Sequence, residues 1–87
     1  MKKYIAKYYP IIDGREVEYR TTVEADNKTS AEALVRGAYI EMLEKYIYMI
    51  NTFSLNIINI NGDNSNDINS LKENIAYAKR NMRIEII

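Results

Sequence analysis

Apolar residues recur with a helical period through the middle of the chain, from Ser30 to Ile50. Spacing successive residues about 100° apart gathers most of them into one wide stripe, which we expect to pack against a sheet. This stripe consists of Ala31, Leu34, Val35, Ala38, Tyr39, Met42, Tyr46 and Met49. A second apolar row beside it consists of Ile40, Leu43, Ile47 and Ile50. Thr29 and Glu32 have the spacing of a capping box, so the sequence predicts a long helix beginning there and covered on two sides.

The residues before this helix alternate with the period of a strand. Segments 3–12 and 15–25 flank Asp13-Gly14, a dipeptide typical of the type I′ turn of a hairpin. Pairing Ile12 with Arg15 sets the register and gathers the mainly apolar residues on one face. That face consists of Tyr4, Ala6, Tyr8, Pro10, Val17, Tyr19, Thr21 and Val23. Because Pro10 cannot donate to a ladder, we expect the first strand to be an edge strand or to bulge there.

The remaining residues predict three further elements. Alternating apolar residues from Phe53 to Ile60 favour a third strand with a bulge near Ile57, followed by a loop over 61–67. Helical spacing returns over 68–80, and alternation from Met82 to Ile86 indicates a last short strand. The order is ββαβαβ. The sequence therefore predicts a single α+β domain over residues 1–87, with a mostly antiparallel sheet of about four strands and two helices packed on one face.

Composition excludes several kinds of chemistry. The chain has no cysteine and no histidine, so it lacks disulfides, thiolate metal ligands and the commonest general base. No nucleophile motif or glycine-rich phosphate loop is present. Asp63, Ser65 and Asp67 have the spacing of a calcium loop, but Ile68 replaces the turn glycine and Asn74 the bidentate glutamate. We expect a protein that is not an enzyme and uses no cofactor or metal.

The apolar segments do not predict a leader or a membrane span. Lys7 and Pro10 interrupt the N-terminal region before an apolar core of a signal peptide can form. The apolar stretch over 46–60 is punctuated by asparagine, threonine and serine, short of the roughly 20 apolar residues that a span needs. We expect a cytoplasmic protein that does not contact a membrane.

The first candidate functional surface is the second apolar row of the long helix with its polar neighbours. It consists of Ile40, Glu41, Leu43, Glu44, Ile47 and Tyr48. The second helix, of about three turns, is one possible cover for this row; a second copy of the chain, forming a homodimer, or a foreign protein are the others. An apolar strip edged by carboxylates and tyrosine is typical of a protein interface. We therefore expect a non-enzymatic module that binds a protein partner.

The outer face of the hairpin supports an alternative function. Lys3, Lys7, Tyr9 and Arg20 share that face, and cations interleaved with aromatic rings are typical of surfaces that bind RNA or single-stranded DNA. Glutamates at 16, 18 and 24 offset these cations. The twelve basic and twelve acidic residues of the whole chain also cancel, which argues against a dedicated duplex-DNA binder.

The overall character of the sequence resembles that of a known group of proteins. A small single domain rich in asparagine and isoleucine, without Cys, His or Trp, is similar to the accessory proteins of bacteriophages from low-GC hosts. Small anti-defence inhibitors of the anti-CRISPR type belong to this group. The resemblance implies an inhibitor that occupies a surface of a host nuclease complex. It covers composition and length, so it assigns no role to any individual residue.

Overall fold

The computed structural model describes residues 1–56 and 65–87, which form five strands and two helices. In chain order these are β1 (Lys2–Tyr9), β2 (Ile11–Ile12), β3 (Arg15–Glu16), β4 (Tyr19–Ala25), α1 (Lys28–Asn56), α2 (Ser65–Arg80) and β5 (Arg83–Ile86). β4, β1 and β5 form an antiparallel sheet in that order, while β2 and β3 form a separate two-stranded ribbon. The predicted α+β class and antiparallel sheet are confirmed.

The N-terminal hairpin has the register that its sequence predicts. Ile12 lies opposite Arg15, and farther along Tyr8 lies opposite Tyr19. At the turn, Asp13 and Gly14 both have positive φ, at 52° and 77°. Positive φ at both central residues is the requirement of a type I′ turn, whose twist matches that of the flanking strands. A local turn motif has therefore set the pairing of the whole hairpin.

Pro10 interrupts the hairpin without displacing it. The Pro10 carbonyl oxygen accepts a hydrogen bond from the Val17 amide at 3.0 Å, but its own nitrogen has no proton to return. The ladder therefore breaks into two parts, and the register on either side stays the same, so no bulge is present. The predicted edge position is wrong as well, since β1 is the central strand of the sheet. Pro10 is tolerated because it lies just beyond the last paired residue of β1.

The helix α1 begins earlier than the capping box predicts. The side-chain oxygen of Asn27 accepts the Ser30 amide at 2.8 Å, and its carbonyl accepts the Ala31 amide at 3.0 Å. Asn27 is therefore the N-cap, a position that asparagine favours as strongly as serine or aspartate does. Thr29 lies inside the helix, and the Glu32 carboxylate instead pairs with Arg36 at 3.2 Å. The predicted start at Thr29 is wrong by two residues.

The same helix also ends later than predicted. It continues to Asn56, so the strand expected from Phe53 is wrong for residues 53–56, and the rest of that segment lies outside the described residues. No proline or glycine follows Gly37 within the helix, and each residue added to an existing helix gains one hydrogen bond. Most of the predicted loop over 61–67 also lies outside the described part. Its last residues, from Ser65, already belong to α2.

Both helices pack on the face of the sheet that the register makes apolar. The core contains small residues on the strands, such as Ala6 and Ala25, which allow α1 to lie close to the sheet. From α1, Ala31, Val35, Tyr39 and Leu43 are buried at intervals of four residues. The helix α2 packs against α1 and contacts β2. Its Ala78, together with Met82 just after it, completes the core.

One polar contact links the two helices across this core. The guanidinium of Arg36 donates to the carbonyl oxygen of Ala78, in the last turn of α2, and pairs with Glu32 on its own helix. Carbonyl groups in the last turn of a helix have no partner within that helix, so this bond satisfies one of them. Arg36 therefore fixes the C-terminal end of α2 against α1.

Candidate functional site

The second apolar row of α1 is covered by α2. Leu43 is only 4% exposed and packs with Tyr39, Ala78 and Met82, while Ile40, Leu71 and Ile75 pack around that cluster. Ile47 is half-buried. The question that the sequence left open is therefore answered by the chain itself. Of the apolar half of the predicted partner-binding set, Leu43 and Ile40 belong to the helix–helix contact, whereas Ile47 is half-buried.

The polar half of the predicted set does lie on the surface. Glu41, Glu44 and Tyr48 are exposed, and Tyr48 is 71% exposed. The Glu41 carboxylate lies 3.6 Å from the Lys45 ammonium, one helical turn later. Both side chains are largely solvent-exposed, so this pair contributes little to stability. The three predicted residues remain accessible to a partner.

Several large apolar side chains that were expected against the sheet are exposed instead. They belong to the first stripe and comprise Leu34 at 51%, Met42 at 38%, Tyr46 at 46% and Met49 at 52%. The helix has 29 residues and is about 43 Å long, whereas the eight residues of β1 extend over about 27 Å. The three-stranded sheet therefore covers only part of this helix. We call six exposed residues between positions 41 and 49 of α1 the helix-end surface: Glu41, Glu44, Lys45, Tyr46, Tyr48 and Met49.

A cleft lies between α1 and β4. It has a volume of about 240 Å³, and we call it the edge cleft. From β4 it is lined by Thr21, Thr22 and Val23, from α1 by Leu34, Val35, Ala38, Tyr39 and Met42, and from β1 by Tyr8. No charged side chain lines it. Its character is that of a surface for apolar contacts rather than of a catalytic site.

A second cleft, of about 410 Å³, lies where the hairpin meets the two helices. Tyr8 is one of its lining residues, and the Tyr8 ring centroid lies 5.6 Å from those of both Tyr19 and Tyr39. Burial, followed by the neighbouring Tyr19, raises the pKa of Tyr8 and of Tyr39 above the ordinary tyrosine value. Both hydroxyls therefore stay protonated at neutral pH. The lining residues include no charged group that would pair with them in proton transfer.

The outer face of the hairpin brings the predicted nucleic-acid residues together but covers the aromatic one. Lys3, Lys7 and Tyr9 alternate along β1, and Arg20 lies opposite Lys7 on β4. Tyr9 is only 9% exposed, because the Arg83 guanidinium lies 4.0 Å from its ring centroid. A base therefore has no free ring face on which to stack.

The charges on this face are also balanced locally. The Tyr9 hydroxyl donates to Glu18 at 3.3 Å, and Arg20 donates to the other oxygen of Glu18 at 3.0 Å. The hydrogen bond from Arg20 lowers the pKa of the Glu18 carboxyl, which stays ionised at neutral pH. Arg83 pairs with both Glu16, at 3.2 Å, and Glu85, at 3.3 Å. Carboxylates thus accompany two of the cations that would neutralise phosphates.

The described residues contain neither a cluster of metal ligands nor a helix that could span a membrane. Within 1–56 and 65–87, no three His, Cys, Asp or Glu side chains are grouped closely enough to hold a metal ion. Over the same residues, neither helix combines the length and apolar character that crossing a bilayer requires.

Comparison with models of known families, with curated proteins and with solved structures finds no significant match. The function therefore has to be inferred from the surfaces of this chain.

Leu34 and Met49 lie on the surface, although their spacing predicts that they face the sheet with the rest of the first stripe. One signal in the sequence would have found them. The run after Gly37 contains no helix breaker, which favours a helix continuing past Ile50 and leaves fewer residues for a strand. A sheet with fewer strands is narrower, so it cannot cover the whole width of the first apolar stripe of α1.

Proposed function

We propose that this protein is a non-enzymatic protein-binding module whose partner contacts the helix-end surface. The proposal rests on one observation: Tyr46 and Met49, three positions apart and therefore neighbours on the surface of α1, are 46% and 52% exposed, and Tyr48 beside them on the polar side of the helix is 71% exposed. Single exposed apolar residues are ordinary on a protein surface, but such clusters are typical of interaction sites. Tyrosine and methionine are among the residues enriched in protein interfaces.

The charges around this cluster indicate the chemistry of the partner. Glu41 and Glu44 lie on the same side of α1 as Tyr48, and the Lys45 ammonium pairs with the Glu41 carboxylate. A surface carrying lysine or arginine around an apolar centre complements this arrangement. Proteins that handle nucleic acids carry such basic surfaces. A host nuclease complex, the target implied by the resemblance to phage anti-defence inhibitors, is therefore the partner class that we propose.

The experiment is affinity capture from a lysate of the native host, using the tagged protein with and without nuclease treatment. We expect a protein partner in stoichiometric amount that survives the nuclease. Replacing Tyr48 by alanine should weaken its binding at least tenfold if Tyr48 is a central contact, since such residues are worth about 2 kcal/mol or more. The double charge reversal Glu41→Lys with Glu44→Lys should abolish capture.

A charge reversal elsewhere provides the control. Glu73 is exposed on α2, so Glu73→Lys should leave binding unchanged if the helix-end surface is the site. Circular dichroism should show that every variant is folded. Capture that persists in both helix-end variants would remove this surface from the interface. Recovery of nucleic acid, or of proteins lost on nuclease treatment, would favour the hairpin face instead.

A further inference from the structure

We propose that two copies of this chain associate through antiparallel pairing of their β4 strands, centred on Thr22, to form one continuous six-stranded sheet. The contact uses the outer edge of β4 and the edge cleft. It is separate from the helix-end surface, so it does not depend on the function proposed above.

The edge of β4 has the features of a strand that pairs with another. Among residues 1–56 and 65–87, no strand lies beside β4 on the side away from β1. β4 has seven residues in regular register, without proline, and its residues facing the helices carry no charge. Short length, proline, bulges, inward-facing charges and charged side chains along the edge are the usual protections of an edge strand, and β4 has only the last of these, Arg20 and Glu24. At the other edge, β5 has only four residues, so its short length protects it.

Two observed hydrogen bonds show which backbone groups of β4 face this edge. The Ile87 amide donates to the Ile5 carbonyl oxygen at 2.8 Å, so the backbone of Ile5 points towards β5. Backbone direction alternates along a strand, and Ala6 therefore bonds its partner Thr21 on β4. The hydrogen bond from the Val17 amide to the Pro10 carbonyl oxygen fits this pattern, because Pro10, like Ala6, is at an even-numbered position whose backbone faces the second strand of the hairpin. The amide and carbonyl of the next residue, Thr22, consequently point outwards.

The side chains of β4 are self-complementary about Thr22. Pairing Thr22 with Thr22 of a second copy places Arg20 opposite the second copy's Glu24, and twofold symmetry creates this pair twice. Within one copy, Arg20 lies opposite Lys7, a like charge, and Glu24 lies opposite Lys3. Arg20 is paired with Glu18 at present, and the second carboxylate would offset the charge of Lys7 as well. Centring the contact on Arg20 or on Glu24 would instead oppose like charges and shorten the ladder.

The helix side of the contact supplies apolar cover. In this register Thr21 lies opposite Val23 of the second copy, and both residues line the edge cleft beside α1. Leu34 and Met42 line the edge cleft and are 51% and 38% exposed. The three-stranded sheet is too narrow to cover the whole apolar stripe of α1. A strand added beside β4 widens the sheet on the side where Leu34 and Met42 are exposed. The second copy therefore buries the residues that the three-stranded sheet leaves exposed.

The first test is the mass in solution as a function of concentration, measured by sedimentation velocity. We expect a concentration-dependent species of twice the 10.2 kDa chain mass. Arg20→Glu or Glu24→Arg alone should weaken self-association about tenfold or more, because each replaces two attractive cross-strand pairs with two repulsive ones. The double variant, Arg20→Glu with Glu24→Arg, should restore the association.

Two further variants test the register. Thr22→Pro removes an outward-facing amide that β1 does not use, so the variant should fold and remain monomeric. The chain has no cysteine, so Thr22→Cys should give a disulfide-linked dimer under mild oxidation. Thr29→Cys, at another exposed threonine, is the matched control and should not cross-link at the same rate.

A monomer at every concentration would overturn the proposal. So would a dimer that is indifferent to both Arg20→Glu and Thr22→Pro, since that contact would lie elsewhere. Partner capture by folded Thr22→Pro distinguishes the two proposals. If monomeric Thr22→Pro still captures the partner, both proposals are supported. If the wild-type protein forms a dimer but captures no partner, only the proposed function is refuted.

Discussion

Replacing Leu43 by alanine should destabilise the fold far more than the same replacement at Leu34, although both residues lie on α1. Leu43 is 4% exposed between the two helices, and Leu34 is 51% exposed beside the edge cleft. The substitution removes three carbon atoms, worth about 0.8 kcal/mol each when fully buried. Adding the cavity term, we expect the free energy of unfolding to fall by about 3 kcal/mol for Leu43→Ala and by about 1 kcal/mol or less for Leu34→Ala. An 87-residue domain is stable by roughly 4–13 kcal/mol, so the first loss is large.

The assay is urea unfolding followed by far-UV circular dichroism. Because the two variants share the same change in helix propensity, the difference between their midpoints reports burial alone. Equal midpoints would refute the packing of α2 over Leu43. A loss below about 1 kcal/mol at Leu43 would do the same, because that is the result for a surface leucine.

Two other predictions follow from the N-cap and from the buried tyrosines. Asn27→Ala should lower the free energy of unfolding by about 1 kcal/mol, as measured by urea unfolding. Thr29→Ala, at an exposed position inside the helix, should leave it unchanged or raise it slightly because alanine has the higher helix propensity; a larger loss at Thr29 than at Asn27 would reinstate the capping box. Since burial raises the pKa of Tyr39 above the ordinary 10.0, the unfolded chain ionises first on the alkaline side. Stability should be unaffected by this group below about pH 10 and fall as the pH rises through the folded-state value. The urea midpoint of the Tyr39→Phe variant should decline less steeply with pH over that window than the midpoint of the wild-type protein. An identical decline in the two proteins would argue against burial of the Tyr39 hydroxyl.

The sequence predicts those parts of the fold that local chemistry decides. Asp13-Gly14 determines the hairpin turn, and the turn determines every pair from Ile12 outwards. The second helix and the last strand also lie close to their predicted positions. The start of α1 was misplaced because Asn27 and Thr29 are both good caps, and only the observed hydrogen bonds choose between them.

Other features depend on contacts between distant residues and could not be predicted locally. Phe53 and Leu55 have spacings compatible with a strand as well as with a helix. Whether Leu43 faces a partner or α2 depends on how a helix more than twenty residues later docks onto it. The exposure of Glu41 and Tyr48, by contrast, follows from their position on the polar side of α1. The sequence therefore predicted the polar part of the candidate surface better than its apolar part.

The central position of β1 has a consequence for the kinetics of folding. Its two neighbours differ greatly in sequence separation, because Tyr8 pairs with Tyr19, whereas Ala6 pairs with Ile86, 80 positions away (86 − 6). Closing the shorter loop costs less chain entropy, so the hairpin is expected to form early and β5 to dock late. Until β5 docks, the opposite edge of β1 remains exposed. The rate of that last docking step should therefore govern how long folding molecules are prone to aggregate.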